Sequence, residues 1–237
     1  MREIWAYHRD EQGQLVSARP AELAGVPLEE RPPPSEPVAF HDRPGKLSDW
    51  WSVTTRGHVV CGSKRRRRVA IELDFDPNIA WFGGEPVELR WRGEQGKQRW
   101  RPDFVARTAG GARVVVAVEP EKIGAQWRER LEMLQEVAAA ARWQVAVMPV
   151  PGGVRLANLE FAADYRQAVP ITSEEIEAVE DAFRYERPIG EGALDSGVPY
   201  LAALDLAYRL IWQRRLQIHW GRPLLTTATA WTVVEPA

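Results

Sequence analysis

A single cysteine, Cys61, stands among 237 residues, so no internal disulfide is available and the fold must be held by packing. One thiol is also too little for a zinc knuckle. Lysine is nearly as scarce, at positions 46, 64, 97 and 122 only, which leaves arginine to carry the basic charge. Codon composition accounts for that bias more simply than selection for phosphate, although the guanidinium fork suits phosphate well. No apolar run approaches the roughly 18 residues of a membrane span, and the first residues are polar and charged, unlike a signal-peptide core. These features predict a cytoplasmic protein with no membrane partner. An excess of one charge is missing too: 31 basic and 33 acidic residues leave a formal net charge of -2. Any nucleic-acid surface must therefore arise from local segregation of charge.

What is present is the composition of a folded chain, 45% hydrophobic and 27% charged, long enough for one large or two modest domains. Eleven tryptophans are the compositional anomaly, and they read as large apolar anchors of a modest core more readily than as base-stacking platforms.

Along the chain, residues 1–45 read as an N-terminal arm, with a strand-like 4–8, a turn at Gly13 and the proline-rich 31–37, which can neither continue a helix nor enter a central strand. A helix is predicted over 62–73, then a loop through Asp74 to Asn78, because Pro77 biases its predecessor out of helical geometry. Alternation over 86–91, a turn, and strands over 98–107 and 113–118 predict an antiparallel meander. Helical spacing of Trp127, Leu131, Leu134 and Val137 over 123–142, followed by a buried-strand run over 143–149, predicts a strand–helix–strand crossover. Further on, Thr172 and Glu175 form a capping box for a helix to about 185, a second helix spans 199–213, and strands are predicted over 216–220 and 226–234. The predicted domains are the arm 1–45, a core 46–168 and a small helical, winged-helix-like domain 169–237.

The order helix, strand, turn, Arg101-Pro102-Asp103 and an apolar strand ending Ala117-Val118-Glu119-Pro120 resembles the layout of the PD-(D/E)xK nuclease core. There an Asp and a second polar ligand hold a divalent ion, which polarises the scissile phosphate and acidifies the attacking water. A Lys two residues on lies on the same strand face. The blocks Trp50-Trp51-Ser52-Val53-Thr54-Thr55-Arg56-Gly57-His58-Val59, Leu73-Asp74-Phe75-Asp76-Pro77, Arg101-Pro102-Asp103-Phe104 and Val114 to Pro120 resemble the TnsA-like endonuclease subunits of heteromeric transposases. The likeness extends over nearly the whole chain, from the Arg9-Asp10 to Gly13 turn to Leu210-Ile211-Trp212 and Pro223-Leu224. It implies an α/β restriction-endonuclease-like core, a mixed sheet flanked by helices, with Mg²⁺ or Mn²⁺ as cofactor. It also implies double-stranded DNA, a partner DDE-type transposase and an AAA+ regulator as partners.

Carried over residue by residue, the resemblance exposes departures. The family's helix begins with a metal-binding Glu, where this chain has Gly62, and Arg66 stands near a second Glu. Asp103 matches the Pro-Asp ligand. Downstream, Ala117 replaces a polar ligand and Glu119 replaces the Lys. Two outcomes follow for metal and chemistry: a degenerate, catalytically impaired pseudo-nuclease that scaffolds its partner, or an active endonuclease with a rearranged catalytic set of Asp103, Glu119 and Lys122, in which Asp103 and Glu119 hold the metal. A third reading is a protein interaction module without a DNA role.

The run Lys64, Arg65, Arg66, Arg67 and Arg68 wraps its helix, so it cannot all face one groove. Its place beside the family's DNA channel nonetheless makes it, with His58, the predicted DNA-binding set. His58, taken alone, reads more readily as a hydrogen-bonded structural residue than as a phosphate or metal contact, Cys61 as a small buried filler, and Asp74 and Asp76 as turn residues with Asx bonding.

Overall fold

The computed structural model describes residues 3–35, 49–93, 96–167 and 170–233. Residues 36–48, which hold the end of the predicted arm, and Val234, the predicted end of the last strand, lie outside the described residues. The fold is mixed α/β and divides into two compact units, Met1–Val150 and Pro151–Ala237.

The first unit opens with β1 (Ile4–Arg9) and β2 (Leu15–Ala18), an antiparallel hairpin. Its turn is set by the Asp10 carboxylate, which accepts the N–H groups of Gln12 at 3.0 Å and Gln14 at 2.8 Å, and by Gly13 at φ +76°. Two short 3-10 helices follow, Pro20–Gly25 and Leu28–Glu30. Then come β3 (Trp50–Ser52), β4 (Gly57–Val59), α1 (Lys64–Phe75), β5 (Ile79–Gly84), β6 (Val87–Gly93) and β7 (Gly96–Trp100). The unit closes with β8 (Phe104–Thr108), β9 (Arg113–Val118), α2 (Ala125–Ala141) and β10 (Gln144–Met148).

These strands build an antiparallel sheet in the order β2-β1-β6-β7, a mixed sheet in the order β10-β9-β8-β5, and the separate ribbon β3-β4. The strand-like 4–8 is thus an internal strand of a sheet, β1, paired to β6 through Ala6↔Leu89. The predicted meander is divided. Pro102 has no N–H to give a ladder, and the chain breaks at 101–103, so β7 pairs in the first sheet and β8 in the second. The predicted crossover is present: β9 and β10 pair in parallel through α2, with Ala146↔Val116 in register. One apolar cluster gathers Ile4, Leu89 and Trp91 from the first sheet, Val105, Val115 and Ala117 from the second, and Met133, Leu134 and Val137 from α2. Trp50, Trp91, Trp100, Trp143 and Trp212 are buried, which fits the anchor reading for these rings.

The second unit contains α3 (Gly153–Asp164), α4 (Ser173–Ala182), β11 (Arg187–Pro188), α5 (Ile189–Asp195), α6 (Tyr200–Trp212), β12 (Leu216–Ile218) and β13 (Thr229–Thr232). The capping box opens α4 as expected: the Glu175 N–H donates to Thr172 Oγ1 at 3.2 Å, and the Thr172 N–H donates to the Glu175 carboxylate at 2.9 Å. Three strands pair in the order β11-β13-β12. The buried Asn158 of α3 holds the loop before β13, donating to the carbonyls of Trp220 at 3.1 Å and Arg222 at 2.7 Å and accepting the Leu224 N–H at 2.9 Å. Among the described residues no helix is long and apolar enough to cross a membrane.

Candidate functional site

Asp103 sits where the break at Pro102 delivers the chain into β8, and it is buried. Its N–H donates to the Val116 carbonyl at 3.1 Å, and its Oδ2 accepts the Val118 N–H at 2.6 Å. The residue therefore clamps the head of β8 onto β9. Its own carbonyl accepts the Glu85 N–H at 3.0 Å and so fixes the turn between β5 and β6, in which Glu85 has a φ of +49°.

From the opposite side comes α1. Ser63 caps this helix, accepting the Arg66 N–H at 3.3 Å, and so sets the direction of its first turn. Arg66 projects between the two acidic groups: its Nε donates to Asp103 Oδ1 and its Nη1 to Glu85 Oε1. Gly62 leaves the room, because a Cβ at that position would lie 3.3 Å from Arg66 Nη1 and 3.5 Å from Glu85 Oε1. Alternating charges continue outward, with Arg101 3.6 Å from Glu85 and 3.1 Å from Glu88, and Arg90 2.7 Å from Glu88.

Two carboxylates respond differently to this environment. Burial raises the Asp103 pKa above the ordinary carboxylate value, and the Arg66 charge and the Val118 N–H offset only part of that. For Glu88 burial also pushes upward, but hydrogen bonds from Arg90 and Arg101 prevail and the net direction is down.

The five-residue basic run separates by direction. Arg65 donates to the Glu119 carbonyl at 2.8 Å and pairs with Glu121 at 2.8 Å. Arg66 turns inward, and the Arg67 guanidinium lies 5.4 Å from the Trp50 ring centroid. Lys64 and Arg68, one turn apart, are exposed. His58 is exposed on β4 opposite Trp51, ring centroids 5.0 Å apart.

Glu119 follows β9 with its N–H bonded to the Met148 carbonyl at 2.8 Å, and Lys122 is exposed beyond it. Among the described residues neither side chain shares a hydrogen bond or ion pair with Asp103. Ala117 is in the apolar cluster with α2. The divalent ion that the resemblance implies can be tested against these donors. Both Asp103 oxygens are engaged, Glu85 is shared by two arginines, and among the described residues no three His, Cys, Asp or Glu side chains stand together. Arg66 already occupies both carboxylates and Arg101 adds a second cation at Glu85, so the residues present do not fit a hydrated divalent ion.

Three acidic residues matter here that sequence reasoning did not single out for these roles. Glu85 lies in a Gly-Gly-Glu-Pro turn whose only sequence signal is the turn itself. Asp74 belongs to the last turn of α1 and not to a loop: its carboxylate accepts Trp50 Nε1 at 2.9 Å, Ser52 Oγ at 2.6 Å and the N–H groups of Thr54 at 3.0 Å and Val53 at 3.3 Å. That fastens the β3-β4 ribbon to the helix and replaces the Asx-turn account, which holds for Asp76 through its bond from the Asn78 N–H at 2.8 Å. Glu29, fully buried, pairs with Arg107 at 3.0 Å and Arg113 at 3.1 Å. Cys61 is a buried filler, its thiol pushed up to about 12 chiefly by burial. No family model matches this chain, and no characterised protein matches it in sequence.

Proposed function

We propose that the chain is a DNA-binding, TnsA-like subunit with a restriction-endonuclease-like core in which strand cleavage has been given up, and that it scaffolds a partner DDE-type transposase on double-stranded DNA. The observation that carries this reading is Arg66. Its side chain joins Asp103, the one retained ligand of the resemblance, to Glu85, which makes a permanent cation part of the fold. Metal-assisted hydrolysis needs several fixed, unencumbered ligands and a positioned water, and a carboxylate held by a guanidinium and a backbone N–H supplies neither. Support for DNA contact comes from Lys64 and Arg68, the two members of the basic run that are exposed. The second unit, with four helices and a small three-stranded sheet, is read as winged-helix-like. The exposed positions of α6 include Leu201, Ala202 and Asp205, a poor set for phosphate and better suited to a protein partner.

The test is purified protein with duplex DNA in Mg²⁺ and in Mn²⁺. The expected result is salt-dependent binding without nicking. Nicking abolished by Asp103→Ala would establish the rearranged endonuclease instead, and absence of duplex binding at low salt would leave only a protein interaction role.

A further inference from the structure

A groove of about 310 Å³ lies in the first unit, between residues 29–33 on one side and β4 and β5 on the other. We infer that it receives the unstacked base of an unpaired nucleotide in the bound DNA, an inference that rests on the DNA-binding reading above.

Its lining has the chemistry of a flat, uncharged ligand. His58 and Trp81 bring two aromatic rings, and Pro32 and Pro33 add apolar ring surface. Ring faces of this kind take any base, because every base has a π-face. The charged groups along the groove are already compensated within the protein. Glu29 is held by Arg107 and Arg113, Glu30 by Arg107 at 3.2 Å, and Arg31 by Glu11 at 3.2 Å. A phosphate would find no uncompensated cation there, whereas an uncharged base needs none.

Beside the groove, the Thr55 hydroxyl and the Arg31 Nε–H are buried without a hydrogen-bond partner among the described residues, which buried polar atoms seldom are. The volume is at the small end of ligand pockets, roughly 300–1,000 Å³, which suits one nucleotide rather than a folded peptide segment. The groove is also contiguous in the chain with the candidate site, since Gly84 lines it and the next residue, Glu85, holds Arg66.

The probe is a pair of duplexes identical except for a two-nucleotide unpaired tail carrying 2-aminopurine, made once at the 3′ and once at the 5′ end. One tailed duplex is expected to bind about tenfold more tightly than the blunt one, toward the low end of what a single base–aromatic stack supplies, with 2-aminopurine fluorescence falling on binding. Trp81→Ala and the bulkier Trp81→Leu are both expected to abolish the preference and the quenching while leaving blunt-duplex affinity unchanged. Equal affinity for blunt and tailed duplexes with unchanged fluorescence overturns the groove inference but not DNA binding, and needs no variant. Retention of the preference in either Trp81 variant overturns it as well. Failure to bind any of the duplexes overturns both readings together.

Discussion

Replacing Arg66 by alanine removes the cation from a carboxylate that has almost no access to water. Asp103 is 5% exposed, and after the change it keeps only the Val118 N–H on Oδ2, while Glu85 keeps Arg101 at 3.6 Å. Removing one partner of a buried pair costs about 3–5 kcal/mol. The Arg66 side chain is 27% exposed and Glu85 retains a second arginine, so a loss of about 2–4 kcal/mol at neutral pH is expected. The pH dependence identifies the cause. Burial already raises the Asp103 pKa in the folded protein, and without Arg66 it rises further. A folded-state pKa above the unfolded one means the folded protein holds its proton more tightly. The associated stability is present in acid and is lost as pH rises from the ordinary carboxylate value through the raised folded value. The variant's deficit relative to wild type is therefore small in acid and grows toward neutrality. Urea melts of wild type, Arg66→Ala, Asp103→Asn and the double variant across that window measure it. Because Asp103→Asn removes the stranded charge, the double variant is expected to lose about 1–3 kcal/mol less than the two singles added together. A deficit independent of pH together with additive losses would refute the reasoning.

Asp74→Ala strips four donors of one buried acceptor and is expected to cost about 3–4 kcal/mol, with Asp74→Asn costing less; denaturant melts rank them, and a loss below about 1 kcal/mol would contradict the ribbon-fastening role. Asn158→Ala is expected to cost about 2 kcal/mol and to speed amide hydrogen exchange at Leu224, whose N–H loses its acceptor; unchanged exchange there would count against the bond. The Cys61 thiol, buried and pushed up to about 12, is expected to resist alkylation at mildly alkaline pH in native protein and to react once the chain is unfolded. Rapid native labelling would contradict its burial.

Some of this architecture is legible in the chain because the deciding interactions are local. The β9–α2–β10 crossover declares itself through an apolar strand, a helix-spaced stripe and a second apolar run, and α4 declares itself through Thr172 and Glu175. The β6–β7 hairpin is written in the alternation of Val87, Leu89 and Trp91. Other features depend on partners far apart in sequence. The place of β1 inside a sheet requires β6, about 80 residues on, and nothing in Ile4 to Arg9 names that partner. The strand β5 is easily missed because Gly83 and Gly84 weaken its pattern, yet Gly84 must be glycine, since a Cβ there would overlap the Val60 carbonyl. At the candidate site, Asp103 is marked by Pro102 before it. Arg66 is visible in sequence only as one of five cations, and its inward turn depends on Ser63 capping the helix and on Glu85 arriving from another element. The same holds for Glu29, whose two arginines lie on β8 and β9.

The proposal that this fold grips DNA without cutting it is tested most directly by duplex affinity measured against salt, with strand integrity followed in the same samples in Mn²⁺. Each phosphate contact contributes about 0.9 to the slope of log affinity against log salt, so Lys64→Ala with Arg68→Ala is expected to lower the slope by about 2 while the DNA stays intact throughout. An unchanged slope, or Mn²⁺-dependent nicking that Asp103→Ala removes, would contradict it.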